Sequence, residues 1–201
     1  SNIHTADVTV DVKLVSDTGS RGGGNDVTNT TSFLLNDVSI PIGTSIDVLH
    51  KQVLSFVDNN YVEKKMRSCV KGFQFHKDFK GKKELNEEIN KLLLRTHGCY
   101  IESGWLNILG NDSYNIPHHH TGNHIECSGV LYLSNDNNNI NFTKDGELFV
   151  LEPKLFDILV FPYNLIHYVL PKKRNNKRIC YAFNLVNVDT PTYEVNNDKN
   201  N

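Results

Sequence analysis

Three consecutive histidines, His118, His119 and His120, follow Pro117 at the end of a predicted strand. Because side chains alternate between the two faces of a strand, we expect His118 and His120 to point the same way and His119 the opposite way. Two imidazoles on one face form the half of a metal site that a local segment can supply. His167 lies just beyond a later apolar strand and can supply the other half. The sequence therefore predicts a single divalent metal between this cluster and His167.

The sequence leaves the third ligand open. His120 would complete a three-histidine face. Glu126 could instead supply a carboxylate from the next strand, since it shares strand parity with Tyr132 and would face inward if Tyr132 does. In a third arrangement, His124 and Glu126 would bind the metal as a His-x-Glu pair. His118 and His120 would then support these ligands without binding the metal themselves. A face of three ligands leaves positions open for other molecules on the metal.

Arg178 stands at the start of the apolar segment 179–186, apart from the basic run 172–177 that precedes it. A cation inside a β-sandwich is costly unless it meets an anion. Arg178 therefore predicts a bound carboxylate.

The elements that must position these residues change in character along the chain. Strand-like segments at 8–12 and 32–35 are joined by a glycine-containing linker, Ser16–Thr31. Apolar residues at helical spacing then predict two helices, one around 46–56, with Thr44 and Asp47 as a capping pair, and one around 85–93 that ends near Gly98.

Short β-rich segments separated by turn residues follow. They cover 104–109, 113–120, 127–134, 140–143, 148–151, 157–161, 166–170 and 178–186. Eight short strands with no helix between them predict an antiparallel sandwich or barrel. We expect a single domain over 1–201, mainly β with N-terminal helices: 1–100 support a β core at 101–187, and 188–201 form a flexible tail.

The composition narrows the class of protein. With 201 residues and 38% hydrophobic content, the chain can bury one sizeable core. A net charge of −2 argues against binding to nucleic acid, and no apolar run reaches the length of a membrane span. The four cysteines show no C-x-x-C pair, which favours reduced, mostly buried thiols and a cytoplasmic location.

The order of these motifs resembles a known superfamily. The segments are Trp105-Leu106-Asn107, Asn115 to His120, Ser128 to Leu133, Phe161-Pro162, His167, Arg178 and Phe183-Asn184. This series is similar to the iron(II)- and 2-oxoglutarate-dependent oxygenases, in particular a bacterial and phage branch near the prolyl 4-hydroxylases. The resemblance covers roughly 105–186. It departs at His120, where the wider family has Asp or Glu.

The resemblance implies a double-stranded β-helix, or jelly roll, that holds iron(II). His118 and His167 would be metal ligands, and Arg178 would bind the far carboxylate of 2-oxoglutarate. Tyr132 and Asn107 would be further contacts to this cosubstrate. Trp105 is a candidate substrate contact, with core packing as its alternative role.

The implied activity is the hydroxylation of a protein side chain or a small molecule, with O2 as cosubstrate and ascorbate as reductant in vitro. We expect no nucleic-acid or membrane partner, a possible homodimer, and the host cytoplasm as location if the gene is a phage gene. One alternative is a cupin-like metal protein acting without 2-oxoglutarate, with Glu126 as a ligand. The other is a non-enzymatic jelly roll that serves in binding or in a viral structure.

Overall fold

The structure is a computed structural model that describes residues 7–15, 33–41, 44–122, 124–135 and 139–189, with side chains from Ile46 onward. The predicted linker Ser16–Thr31 and nearly all of the predicted tail lie outside the described residues. The same holds for the side chain of Thr44, and with it for the predicted capping pair.

Two helices lie where the apolar spacing predicts them. Helix α1 spans Thr44–Asn60 and helix α2 spans Lys82–His97. The apolar stripe of α2 is buried, and Gly98 ends the helix with a φ of 62°, in the left-handed region that glycine adopts without a steric penalty. No helix in the described part of the chain is long and apolar enough to cross a membrane.

The described residues also form eleven strands. They are β1 (Asp7–Val15), β2 (Phe33–Pro41), β3 (Lys64–Met66), β4 (Cys69–Phe75), β5 (Cys99–His118), β6 (Cys127–Tyr132), β7 (Ile140–Lys144), β8 (Glu147–Leu151), β9 (Ile158–Pro162), β10 (Ile166–Val169) and β11 (Arg178–Asn187). Strands β1 and β2 form an antiparallel pair. The other nine form one sheet with the order β8-β7-β10-β5-β11-β6-β9, and the β3–β4 hairpin adds to it through the pairing of β4 with β5.

The long strand β5 curls this sheet into two layers. Its first part pairs with β11, from Cys99 opposite Asn187 to Leu109 opposite Arg178. Its last part pairs with β10, where His118 lies opposite His167. Because one strand changes partner along its length, it connects the layer containing β11 with the layer containing β10. The mainly β architecture predicted from the sequence is confirmed.

Two details differ from the sequence prediction. The hairpin β3–β4 lies between the two helices, where no strand was predicted, and β5 is continuous where two strands were predicted. Both misses have the same cause, an irregularity that interrupts the alternation of side chains. Asp112 in β5 and Lys71 in β4 have φ values of 57° and 54°. The β4–β5 register shifts at these residues, between Val70 and Gly72 of β4.

The two faces of the sheet build two separate cores. On β11, Ile179, Tyr181, Phe183 and Leu185 belong to the cluster that packs against both helices. The alternate residues Cys180 and Ala182 belong to a second cluster between the layers, together with residues of β6, β7 and β9. Side chains on this inner face therefore lie inside the β-sandwich, on the same side as the candidate site.

All four cysteines are free thiols. Cys69, Cys99 and Cys180 are buried and Cys127 is partly buried, as their spacing predicted.

Candidate metal centre

Three histidines converge where β5 and β10 pair. His118 ends β5 opposite His167 of β10, and His120 follows two residues later. Their ring centroids are 4.3 Å (His118–His167), 5.2 Å (His120–His167) and 5.7 Å (His118–His120) apart. One ring nitrogen from each lies within 4.8 Å of the others, and no other such group of His, Cys, Asp or Glu occurs among the described residues.

Hydrogen bonds fix which nitrogen of each ring is free. The Nδ1 of His118 lies 2.7 Å from the carbonyl oxygen of Ile116, and the Nδ1 of His167 lies 2.9 Å from that of Leu165. A carbonyl oxygen only accepts, so each Nδ1 carries the hydrogen and each Nε2 keeps its lone pair. Such outer contacts orient metal-binding histidines in proteins.

Side chains, rather than backbone, orient His120. Its Nδ1 lies 2.6 Å from Oδ1 of Asn184 and 2.8 Å from Oγ of Ser128. Asn184 and Ser128 lie opposite each other on β11 and β6 and face the interior. With its Nδ1–H donated to Asn184, His120 also presents a free Nε2.

Burial keeps the three imidazoles neutral. It lowers the pKa of His118 and His120, and it lowers the pKa of His167, only 6% exposed, to about 3. Neutral imidazole is the form that binds a metal ion. At neutral pH, protons therefore compete little with a metal ion for these three nitrogens.

The metal-free protein should lose stability as the pH falls from about 6.5 toward 3. In this window the unfolded chain protonates a histidine that the folded chain keeps neutral, so unfolding takes up protons. For His167 alone the expected loss at pH 5 is about 2 kcal/mol relative to pH 7.5. Urea unfolding in the presence of a chelator measures it. Replacement of His167 with Leu should flatten this dependence, and an equally steep dependence in that variant would contradict the assignment.

The other candidate ligands lie away from this group. His119, His124 and Glu126 are exposed, and none of them belongs to the histidine group. Strand parity correctly places Tyr132 inside, but Glu126 precedes the first residue of β6, where side-chain alternation no longer applies. The structure therefore does not bring this carboxylate to the site.

Arg178 is a buried cation deeper in the sandwich. It is 2% exposed, and its guanidinium carbon lies 5.4 Å from the centre of the Tyr132 ring. Within the described residues it forms no ion pair, and its Nε and the Tyr132 hydroxyl have no hydrogen-bond partner. Burial raises the pKa of Tyr132 well above its usual range, so its hydroxyl stays protonated. Both groups are suited to a ligand oxygen.

Asn107, which lies opposite Cys180 of β11, belongs to a buried polar network. Its Oδ1 accepts from Nε2 of Gln74 at 3.3 Å, and its Nδ2 donates to Oδ1 of Asn115 at 2.9 Å. Gln74 also donates to Ser68 at 3.4 Å, while its own Oε1 has no partner among the described residues. Gln74 was missed because β4 was not predicted. A glutamine between Phe73 and Phe75 is the signal that could have identified it.

A pocket of about 860 Å³ is lined by His118 and His120 of the histidine group, but not by His167. Trp105 lines it while also packing on the inner core. The ring of Trp105 stacks on His76, with centroids 5.3 Å apart and planes 19° apart, and lies 5.5 Å from the ring of His120. Trp105 therefore both packs in the core and borders the pocket, and His76 is a wall residue that the sequence did not point to.

No protein-family model and no curated protein sequence matches this chain. Solved structures do. A Pseudomonas putida prolyl-4-hydroxylase is 15% identical with a TM-score of 0.52, over 70% of this chain and 86% of that one. A prolyl hydroxylase from Trichoplax adhaerens, in complex with a hypoxia inducible factor peptide fragment, is 14% identical with a TM-score of 0.54, over 73% and 80%. The viral collagen prolyl hydroxylase vCPH of Paramecium Bursaria Chlorella virus-1, as its 2-oxoglutarate complex, is 13% identical with a TM-score of 0.50, over 71% and 91%.

At these identities the likeness is one of fold. The resemblance found in the sequence is confirmed at that level: the chain has the double-stranded β-helix fold of the iron(II)- and 2-oxoglutarate-dependent oxygenases.

Proposed function

We propose that this protein is an iron(II)- and 2-oxoglutarate-dependent oxygenase that hydroxylates a protein side chain or a small molecule. The observation that carries the proposal is the group His118, His120 and His167. One ring nitrogen from each of these neutral imidazoles lies within 4.8 Å of the others, and each Nδ1 is already hydrogen-bonded, which leaves Nε2 as the nitrogen available to a metal. They fit a divalent metal that prefers nitrogen ligands, and a three-ligand face leaves room for a bidentate cosubstrate and O2.

Iron(II) bound there would supply the oxidation of a substrate carbon by O2, coupled to the decarboxylation of 2-oxoglutarate to succinate. The protein's share is positioning. Backbone carbonyl oxygens orient the rings of His118 and His167, whereas the side chains of Asn184 and Ser128 orient the ring of His120. Since the ligand set is neutral, the site keeps the full charge of the metal, which favours an anionic cosubstrate.

The inner face of β11 offers a place for that cosubstrate. Asn184 lies at the metal end of this face and Arg178 at the other end, with the small side chains of Cys180 and Ala182 between them. A linear dicarboxylate can extend along such a face from the metal toward the guanidinium. Arg178 would pair with the far carboxylate and Tyr132 would donate a hydrogen bond to it. Asn107 would border the same space. The viral neighbour, a 2-oxoglutarate complex, supports this choice of cosubstrate.

The direct test is succinate formation from 2-oxoglutarate with iron(II) and ascorbate. We expect succinate even without the primary substrate, through uncoupled turnover, and none from a His167→Ala variant. If fully metal-loaded protein neither binds 2-oxoglutarate nor forms succinate, the proposal fails.

Asn184 should control metal affinity without touching the metal. Replacing Asn184 with Leu removes the acceptor that orients His120, and outer-shell losses of this kind weaken metal binding by about 10- to 100-fold. Asn184→Asp keeps an acceptor oxygen and should bind the metal at least as tightly as the unmodified protein. Metal titration of both variants measures the difference, and equal affinities would refute the role of Asn184.

The cupin-like alternative depended on Glu126 as a fourth ligand. Because the side chain of Glu126 is exposed and outside the histidine group, the described residues give that alternative no carboxylate. The cupin-like alternative also does not explain why Arg178 is buried without an anionic partner. In the oxygenase proposal, Arg178 binds the carboxylate of 2-oxoglutarate.

A further inference from the structure

The outer wall of the pocket is not used by the metal or by 2-oxoglutarate. Arg67, at the turn between β3 and β4, His76, just after β4, and Lys82, the first residue of α2, all line this pocket. They come from three separate parts of the fold, so their convergence is a property of the tertiary structure. Their side chains determine which class of ligand can bind at this part of the pocket.

Two of these residues carry positive charge that the described part of the chain does not neutralise. Neither Arg67 nor Lys82 forms an ion pair there. The Nζ of Lys82 donates to the carbonyl oxygens of His76 and Lys77, at 3.2 and 3.3 Å, which anchors the ammonium group beside His76 without cancelling its charge. Asp78 and Glu102 also line the pocket, but neither is paired with these two cations.

His76 adds a polar atom with no partner. Its Nε2 is buried and has no hydrogen bond among the described residues, and its ring is held flat against Trp105. Burial, together with the charges of Arg67 and Lys82, lowers the pKa of His76 to about 4. The imidazole is therefore neutral at neutral pH and can donate one hydrogen bond to an acceptor.

We propose that Arg67, His76 and Lys82 form an anion-binding subsite for the primary substrate, which carries a carboxylate or a phosphate. This inference rests on the proposed oxygenase function, and it names the substrate class. Two cations and a neutral imidazole donor favour an anionic oxygen ligand. The ring of Trp105 contacts both His76 and His120, so an anion held beside His76 leaves the adjoining part of the substrate near the metal.

The probe is inorganic phosphate, titrated into metal-free protein at constant ionic strength and followed by amide NMR shifts. Without metal the histidine group cannot retain phosphate through an ion. We expect saturable shifts at residues 67, 76 and 82. Arg67→Gln should weaken phosphate binding several-fold, and the double variant Arg67→Gln with Lys82→Gln by about tenfold or more. Lys83→Gln, a neighbouring exposed lysine outside the pocket, is the matched control and should bind like the unmodified protein.

The same titration with acetate separates the two sources of the anion, because a carboxylate subsite prefers acetate and a phosphate subsite prefers phosphate. No saturable binding of either anion, or equal binding by the double variant, overturns the subsite. Binding of 2-oxoglutarate to metal-loaded protein is measured in parallel and should be unchanged in the double variant. Loss of phosphate binding with 2-oxoglutarate binding intact supports the subsite, whereas unmodified protein that fails to bind 2-oxoglutarate overturns the oxygenase function instead.

Discussion

His167→Ala should lower the affinity for iron(II) by roughly two to three powers of ten. Four-ligand zinc sites bind with about 10–16 kcal/mol, so a single ligand contributes roughly 3 kcal/mol. His167 is the most buried of the three histidines, and its strand β10 lies between β5 and β7. Among the described residues, no further His, Cys, Asp or Glu belongs to this group and could take the place of His167 as a ligand. Isothermal titration under anaerobic conditions measures the affinity.

His119→Ala is the matched control for this variant. His119 is adjacent to two of the candidate ligands but exposed and outside the histidine group, so its loss should leave metal affinity within about twofold. His120→Ala provides a second variant at a less buried position, in case the His167 variant fails to fold. Undiminished affinity in folded His167→Ala or His120→Ala protein would remove that residue from the site.

Arg178→Leu should abolish 2-oxoglutarate binding while leaving the fold intact or more stable. Truncating one partner of a buried charge pair costs about 2–5 kcal/mol in binding, which corresponds to a loss of roughly 30-fold to several thousand-fold. In the free protein, however, this cation is 2% exposed and has no ion-pair partner among the described residues. Leucine is shorter than arginine, but the removal of an unpaired buried charge should offset the packing that it loses, so the free energy of unfolding should not fall.

These two readouts together distinguish a ligand-binding role from a structural one. 2-Oxoglutarate titration gives the first, and urea unfolding without ligand gives the second. Lys172→Leu, an exposed cation shortly before β11, should change neither. If Arg178→Leu unfolds the protein, the guanidinium has a structural role. If the Arg178→Leu variant binds 2-oxoglutarate normally, the cosubstrate does not bind at Arg178.

The sequence predicted those features that depend on local periodicity. Alternation along a strand predicted that His118 and His120 share one side and His119 takes the other. In the structure His118 and His120 belong to the histidine group and His119 is exposed outside it, although His119 and His120 follow the last residue of β5. The apolar spacing of α2 and its stop at Gly98 are equally local, and both are confirmed. Arg178 was recognisable because a single charge at the head of an apolar strand must find a partner.

Features that depend on contacts between distant segments could not be predicted. Asn184 reaches His120 across 64 residues, and nothing local to either residue shows that contact. The strand β4, with Gln74 and the neighbouring His76, was hidden because Lys71 breaks the alternation that identifies a strand. The prediction that Glu126 faces inward like Tyr132 was wrong, because Glu126 lies before the first residue of β6 and the alternation of side chains does not extend to it.

We propose that the three histidines hold a metal that in turn binds 2-oxoglutarate. Anaerobic calorimetric titration of 2-oxoglutarate into iron(II)-loaded protein and into metal-free protein tests it most directly. We predict one equivalent bound by the iron(II)-loaded protein, much weaker binding without metal, and loss of the difference in His167→Ala. Binding of equal strength with and without iron(II), or no binding at full metal occupancy, would contradict it.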